Sequence, residues 1–237
     1  MSATIIIPTT GLPELKIAVE SVLNQTYLTE CYVVVDGNEH LDRTIKLLGS
    51  LLNNKQLHVC CLPFNTGSNG FYGQRIYAAF THLINTKYLG YLDQDNWLSK
   101  SHVDMCIDTI KKNDLEWCYS LRQIHNKEGN FLCLDDCESL GIWKTYHGLN
   151  HVDTNCFFIK TEIANKVSSA WHYGWGGDRV FLEAIAKNFP KFYCTGEYTT
   201  HYRLGGNVRS VTEEFFQNGN LIMNKKYNGE YPWRQKI

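Results

Sequence analysis

Tyr88-Leu89-Gly90-Tyr91-Leu92-Asp93-Gln94-Asp95 is the stretch on which the fold turns. Five residues of strand length, with little that is polar, run straight into two carboxylates one residue apart. An apolar run this short reads as a strand buried on both faces. Three similar runs precede it: Thr4 to Pro8, Cys31 to Val35 and Leu57 to Leu62. Between them lie helical spacings from Pro13 to Leu23, Leu41 to Leu52 and Ile76 to Ile84. Strands separated by helices of this length predict a parallel sheet with right-handed crossovers. Ligands on such sheets bind beyond the carboxyl ends of the strands. Those ends are Pro8-Thr9-Thr10, Asp36-Gly37, a polar glycine-rich loop from Asn65 to Gly73, and Asp93-Gln94-Asp95.

Downstream the pattern is less regular. Met105 to Ile110 reads as helix, Trp117 to Leu121 as extended, and Phe131 to Gly148 as loop and hairpin. Thr154 to Ile159 reads as a strand, Gly177 to Asn188 as a helix, Phe192 to Tyr202 as extended, and Val211 to Tyr227 as a helix. No stretch is rich enough in Pro, Gly or Ser to divide the chain, so one domain is expected over 1–237. Within it, 1–97 is expected as the regular half that carries the strand-end loops, 98–210 as the less regular half, and 211–237 as a helical tail.

The net charge of -1 and the lack of any sustained basic run argue against a nucleic-acid partner. No apolar stretch approaches the ~20 residues of a transmembrane helix. Met1-Ser2-Ala3-Thr4 lacks a basic n-region, and Ile5-Ile6-Ile7 is too short for a signal peptide's apolar core. A cytoplasmic protein is therefore expected, with peripheral membrane contact and oligomeric state left open. Nine cysteines, an odd number in a chain of this size, argue for reduced, mostly buried thiols rather than a disulfide framework. Cys133, Cys137, His147 and His151 form a spacing that loosely resembles a zinc site, with a short central gap. Ordinary packing remains the larger expectation there, because spacing alone is a weak signal.

Asp93 and Asp95 are the residues most pointed at chemistry. Two carboxylates so close raise each other's proton affinity unless a cation intervenes. A hard divalent ion with oxygen ligands removes that conflict, and a diphosphate can complete its shell. The bland alternative is a solvated turn or a helix cap; the place after the fourth strand favours function.

Taken together, these features resemble the family 2 glycosyltransferases. Ile5-Ile6-Ile7-Pro8-Thr9-Thr10 is similar to that family's first strand and donor loop, and Ser21-Val22-Leu23-Asn24-Gln25-Thr26 to its first helix. Val33-Val34-Val35-Asp36-Gly37 resembles the segment whose aspartate reads the nucleobase. Gly70 with Gln74-Arg75 resembles its glycine-rich loop and arginine, and Asp93-Gln94-Asp95 its metal motif. The resemblance implies a GT-A fold, a Rossmann-like mostly parallel sheet flanked by helices, and an inverting transferase. The donor would be a nucleotide-diphosphate sugar, the cofactor Mn²⁺ or Mg²⁺, and the acceptor a carbohydrate hydroxyl. It also implies a catalytic aspartate at the start of a later helix, which Trp175-Gly176-Gly177-Asp178 fits. Gly177 stands where the family usually has glutamate.

Asp178 is equally suited to a plain helix cap, and Asp153 is its nearest competitor as base. His201 would add a metal ligand, as in some relatives, although histidine suits a core role as well. Arg203 and Arg209 would clamp the diphosphate through bidentate contacts. Trp171 and Trp175 would flank the site as sugar platforms or serve as core. Two other functions compete. One is a non-catalytic nucleotide-sugar binder of the same fold. The other is a nucleotidyltransferase, disfavoured because Thr9-Thr10-Gly11-Leu12-Pro13 has no cation for a triphosphate. A zinc-stabilised module ranks last. The sequence leaves open which sugar, base, acceptor and linkage are involved.

Overall fold

The computed structural model describes residues 2–206 and 211–235. Its first part alternates as the periodicities require: β1 (Ala3–Thr9), α1 (Leu15–Leu23), β2 (Thr29–Val35), α2 (Leu41–Leu48), β3 (Leu57–Cys61), α3 (Gln74–Phe80) and β4 (Tyr88–Tyr91). There follow β5 (Trp97–Leu98), α4 (His102–Lys112), β6 (Trp117–His125), β7 (Phe131–Leu134), β8 (Phe157–Lys160), α5 (Thr161–Val167), α6 (Gly177–Asn188), β9 (Phe192–Arg203) and α7 (Glu213–Tyr227).

The strands form one sheet in the order β3-β2-β1-β4-β8-β6-β9-β5, with β7 beside β6. Pairing is parallel from β3 through β4. Beyond β4 it is mixed: β8 runs antiparallel to β4 and β6, and β9 runs parallel to β6. All seven residues of β1 are buried, because helices cover both faces. Alternation along the strand sends Ile5 and Ile7 to one core and Ile6 to the other. The first core packs against α1 and α4 through Ala18, Val19, Val22, Val103 and Ile107. The second takes Tyr77 from α3 and Phe181 from α6, around Trp171 and Phe157.

Several expected elements shift; the helix expected over Leu41 to Leu52 ends at Leu48, where Gly49 takes a positive φ of 49° and a 3₁₀ turn follows. The strand expected from Thr154 starts at Phe157, because the Asp153 carboxylate accepts from the Asn155 amide and winds 154–156 into a 3₁₀ turn. The extended reading of Trp117 to Leu121 stops short: β6 continues to His125. The α5 helix had no counterpart in the sequence reading. Among the described residues, no helix is long and apolar enough to cross a membrane.

Candidate active site

The carboxyl ends of β1, β2 and β4 open onto a cleft of about 440 Å³, which also takes in the first turn of α6 and the end of β9. Its β1–β4 side is shaped by side chains that hold backbone. The Gln94 carbonyl oxygen accepts from the Thr9 hydroxyl (2.6 Å), the Thr10 amide (3.1 Å) and the Leu12 amide (3.1 Å). It therefore fixes the loop after β1. The Asp36 carboxylate does the same for the next loop, accepting from the Thr66 amide (2.7 Å) and hydroxyl (2.8 Å) and from the Gly67 amide (2.8 Å). Position 67 has to be glycine: a Cβ there would lie 2.0 Å from the Tyr72 carbonyl oxygen.

Asp93 and Asp95 stand between these loops and the far side. The Tyr77 hydroxyl and the Asn155 amide donate to the two Asp93 oxygens, at 2.9 and 3.1 Å. Burial, then the charges of Asp95 and Asp153, push the Asp93 carboxyl up to about 7. Burial pushes Asp95 up to about 6, with the Arg203 charge pulling the other way. Neither carboxylate has an ion-pair partner among the described residues. A Cβ at Gly206 would lie 2.1 Å from Asp95 Oδ2, so the chain leaving β9 passes directly over this carboxylate. Two half-buried carboxylates at the foot of a cleft, with no ion-pair partner among the described residues, suit a hard divalent ion whose other ligands are diphosphate and water.

The other candidate group is Asp178, at the start of α6. Its Oδ2 meets His151 Nε2 at 2.8 Å and its Oδ1 accepts from the Arg179 amide at 2.8 Å. Burial opposes ionisation, but the His151 charge and hydrogen bond outweigh it and hold the carboxyl below its ordinary range. His151 is raised in return: burial lowers it, and Asp178 and Glu138 more than offset that. Behind the pair lies Arg122, fully buried, whose guanidinium binds Asp135 (2.7 Å), Asp153 (2.6 Å) and Glu138. Asp153 is committed here. Its second oxygen accepts from both Asn155 nitrogens, so it is not a free base.

A family model described as "Glycosyl transferase family 2" matches residues 4–188. The chain belongs to glycosyl transferase family 2. Structures of S. aureus TarS share the GT-A fold. TarS 1–349 superposes with a TM-score of 0.66 at 15% identity, covering 86% of this chain and 60% of that one. The TarS 1–349 complex with UDP-GlcNAc gives 0.66 at 14%, covering 96% and 67%. Longer TarS gives 0.65 at 15%, with this chain spanning 40% of it. At these identities the likeness establishes the fold. An uncharacterized protein of Haemophilus influenzae is 30% identical over 110 residues, covering 39% of this chain and 74% of its own.

Not every residue predicted for a family 2 site reaches the cleft. Pro8, Thr9, Thr10, Asp36, Asp93, Gln94, Asp95, Asp178 and Arg203 line it. Gly70 and Arg75 do not: Arg75 stacks on Phe71 at 3.5 Å and donates to the Thr66 carbonyl, bracing the loop from behind. His201 is turned away. Its ring nitrogens meet Ser99 Oγ at 2.8 Å and His125 Nε2 at 3.0 Å, and it stacks flat on Trp97. Its neighbour Tyr202 points to the other side of the strand and lines the cleft, while the Ser99, His125 and Trp97 contacts hold the His201 ring away from it. Arg203 spends its guanidinium on the Asp95 and Lys127 carbonyls and covers Trp97. Arg209 lies outside the described residues. Trp171 is core, stacked on Phe181 at 4.2 Å, whereas Trp175 is 56% exposed at the cleft.

The zinc-like quartet does not converge. Cys137 faces Asp135, His147 packs on Tyr146, and His151 is bound to Asp178. No group of three or more candidate metal-binding side chains exists among the described residues. All nine cysteines are free thiols. Sequence reasoning missed Arg122, Glu138 and Asn155 altogether, and weighed His151 only as packing or as part of the zinc-like spacing, not as the partner of Asp178.

Proposed function

We propose that this chain transfers a sugar from a nucleotide-diphosphate sugar to a hydroxyl of a carbohydrate acceptor, by direct displacement with inversion. The observation that carries the reading is that one cleft holds both an unpaired Asp93–Asp95 couple and Asp178. In the step, the acceptor oxygen bonds to the anomeric carbon as the bond to the diphosphate oxygen breaks, and that electron pair leaves with the diphosphate. The acceptor proton goes to Asp178. A carboxylate has about four lone-pair sites, and Asp178 uses two, so it retains capacity on both oxygens. Asp153, the competing base, has its oxygens engaged by Arg122 and Asn155.

Asp95, seconded by Asp93, would hold Mn²⁺ or Mg²⁺, which as a Lewis acid stabilises the charge building on the leaving diphosphate. The loops fixed by Asp36 and Gln94 would cradle the nucleoside. Because TarS 1–349 was solved with UDP-GlcNAc, a UDP-sugar is the first donor to try. Asp178→Asn tests the role of the base. It should bind UDP as the parent does while sugar transfer falls by roughly 10² or more. Near-parental transfer would remove Asp178 from the reaction. UDP affinity measured with and without chelator tests the metal: a carboxylate pair beside a diphosphate should bind far more weakly without the ion, and equal affinities would refute that role.

A further inference from the structure

His151 is 5% exposed, yet among the described residues only one of its ring nitrogens has a hydrogen-bond partner. Nε2 meets Asp178, whereas Nδ1 is buried with the nearest acid, Glu138 Oε1, at 3.8 Å. Buried polar atoms without partners are uncommon and call for a reason. The ring is held firmly at its backbone, where the His151 carbonyl accepts from the Gly141 amide at 2.7 Å. Glu138 is tied in turn to Arg122, so a row of charged groups runs Asp178–His151–Glu138–Arg122 along one side of the cleft, hydrogen-bonded except between His151 and Glu138, where the contact is 3.8 Å.

We propose that His151 is the positioning residue of the transfer reaction, orienting the Asp178 carboxylate toward the acceptor hydroxyl through this row. The inference rests on Asp178 being the base. Without the His151 bond, only the Arg179 amide would fix the carboxylate, and its second oxygen would swing freely. The surrounding charge favours a protonated ring. The groups facing the pair are Glu138 from the loop after β7, Arg122 from β6, Asp153 before β8, Tyr202 from β9 and Arg179 on α6 itself. Asp135, Glu138, Asp153 and Asp178 supply four negative charges near the single buried guanidinium of Arg122, so an imidazolium between Asp178 and Glu138 reduces the excess. An imidazolium bonded at 2.8 Å also keeps Asp178 ionised, the form able to take a proton.

The test has two arms, both on the full chain. In the first, NMR follows the His151 ring through a pH titration, its signal identified by loss in His151→Gln. The parent ring should titrate above the ordinary 6.5, and Asp178→Asn should bring it down. In the second, consumption of UDP-GlcNAc is followed against pH. Gln at 151 can still donate to Asp178 but carries no charge. His151→Gln should leave KM within about twofold, lower kcat roughly tenfold and move the acid limb of the profile to higher pH. A residue that only fills space would change stability without moving that limb. A His151 titration unaffected by Asp178→Asn, or a His151→Gln enzyme with the parental kcat and acid limb, overturns the proposal. If Asp178→Asn turns over at the parental rate while the titration still shifts, the base assignment has failed and the pairing has not. If UDP-GlcNAc is not consumed, the Asp178→Asn titration decides alone; if His151→Gln does not fold, His151→Asn replaces it in both arms.

Discussion

On the donor side of the cleft, Asp36 and Gln94 spend their oxygens on backbone amides, each fixing a loop at the end of a buried strand. On the base side, Arg122, Glu138, Asp153 and His151 hold one another by charge, and they come from segments as far as 31 residues apart. The first arrangement joins segments up to 84 residues apart, but they are the ends of paired strands, and it borrows its rigidity from the sheet. The second has no regular element of its own between β7 and β8, and it is stable only while every charge keeps its partner. The donor side should therefore tolerate the loss of one side chain far better than the base side.

Arg122→Met is the strongest attempt to break that contrast. It leaves Asp135, Asp153 and Glu138 facing one another in a buried site, and breaking such a cluster from one side costs about 3–5 kcal/mol. Denaturant unfolding should show a loss of that order. A loss below about 1 kcal/mol would mean that the acids relax to solvent and that the base side is not held by charge. Gln94→Ala should cost less, about 1–3 kcal/mol, for the unpaired Thr10 and Leu12 amides. The same variant should weaken UDP binding, because the loop after β1 loses its anchor. Unchanged stability and affinity would show that the loop holds itself.

The smallest effect expected is on pH dependence. His151 is raised above its ordinary 6.5, so its contribution is complete below that pH and is lost as the pH climbs through its elevated value. Asp178 is lowered below its ordinary 3.8, so its contribution is complete above that pH and is lost as the pH falls through its depressed value. The pair thus stabilises most between about 3.8 and 6.5, and part of the stability should fade on the alkaline side. Unfolding curves across pH 6 to 9 should show this fading in the parent and less of it in His151→Gln. Parallel curves would mean that the ring is neutral throughout.

The same contrast explains what the sequence disclosed. Asp93, Asp95 and Asp36 were legible because a strand end is a fixed address: an apolar run stops, and the next polar residue lies at the rim of the sheet. Asp178 was singled out by the resemblance to the family's motif at the start of a later helix, and it does lie at the cleft. Arg122 was not, since the extended reading ended at Leu121, one residue before it, and only the fold reveals the three acids that make its burial tolerable. His201 misled because a histidine in a strand faces one of two sides, and nothing in its own segment fixes which. His151 was placed in a metal-like spacing, although its partner Asp178 lies 27 residues further along. The helix at Thr161–Val167 was too short to show a periodicity.

The central claim is that a single cleft holds the donor on its β1–β4 side and presents Asp178 to the reacting end. A crystal structure of the full chain with UDP and Mn²⁺ tests this most directly. The account predicts the uracil between the Asp36-held loop and Thr10, the diphosphate and ion against Asp95, and Asp178 facing the terminal phosphate across open space. UDP bound elsewhere, or seated in the cleft with its diphosphate and ion away from Asp93 and Asp95, would contradict it.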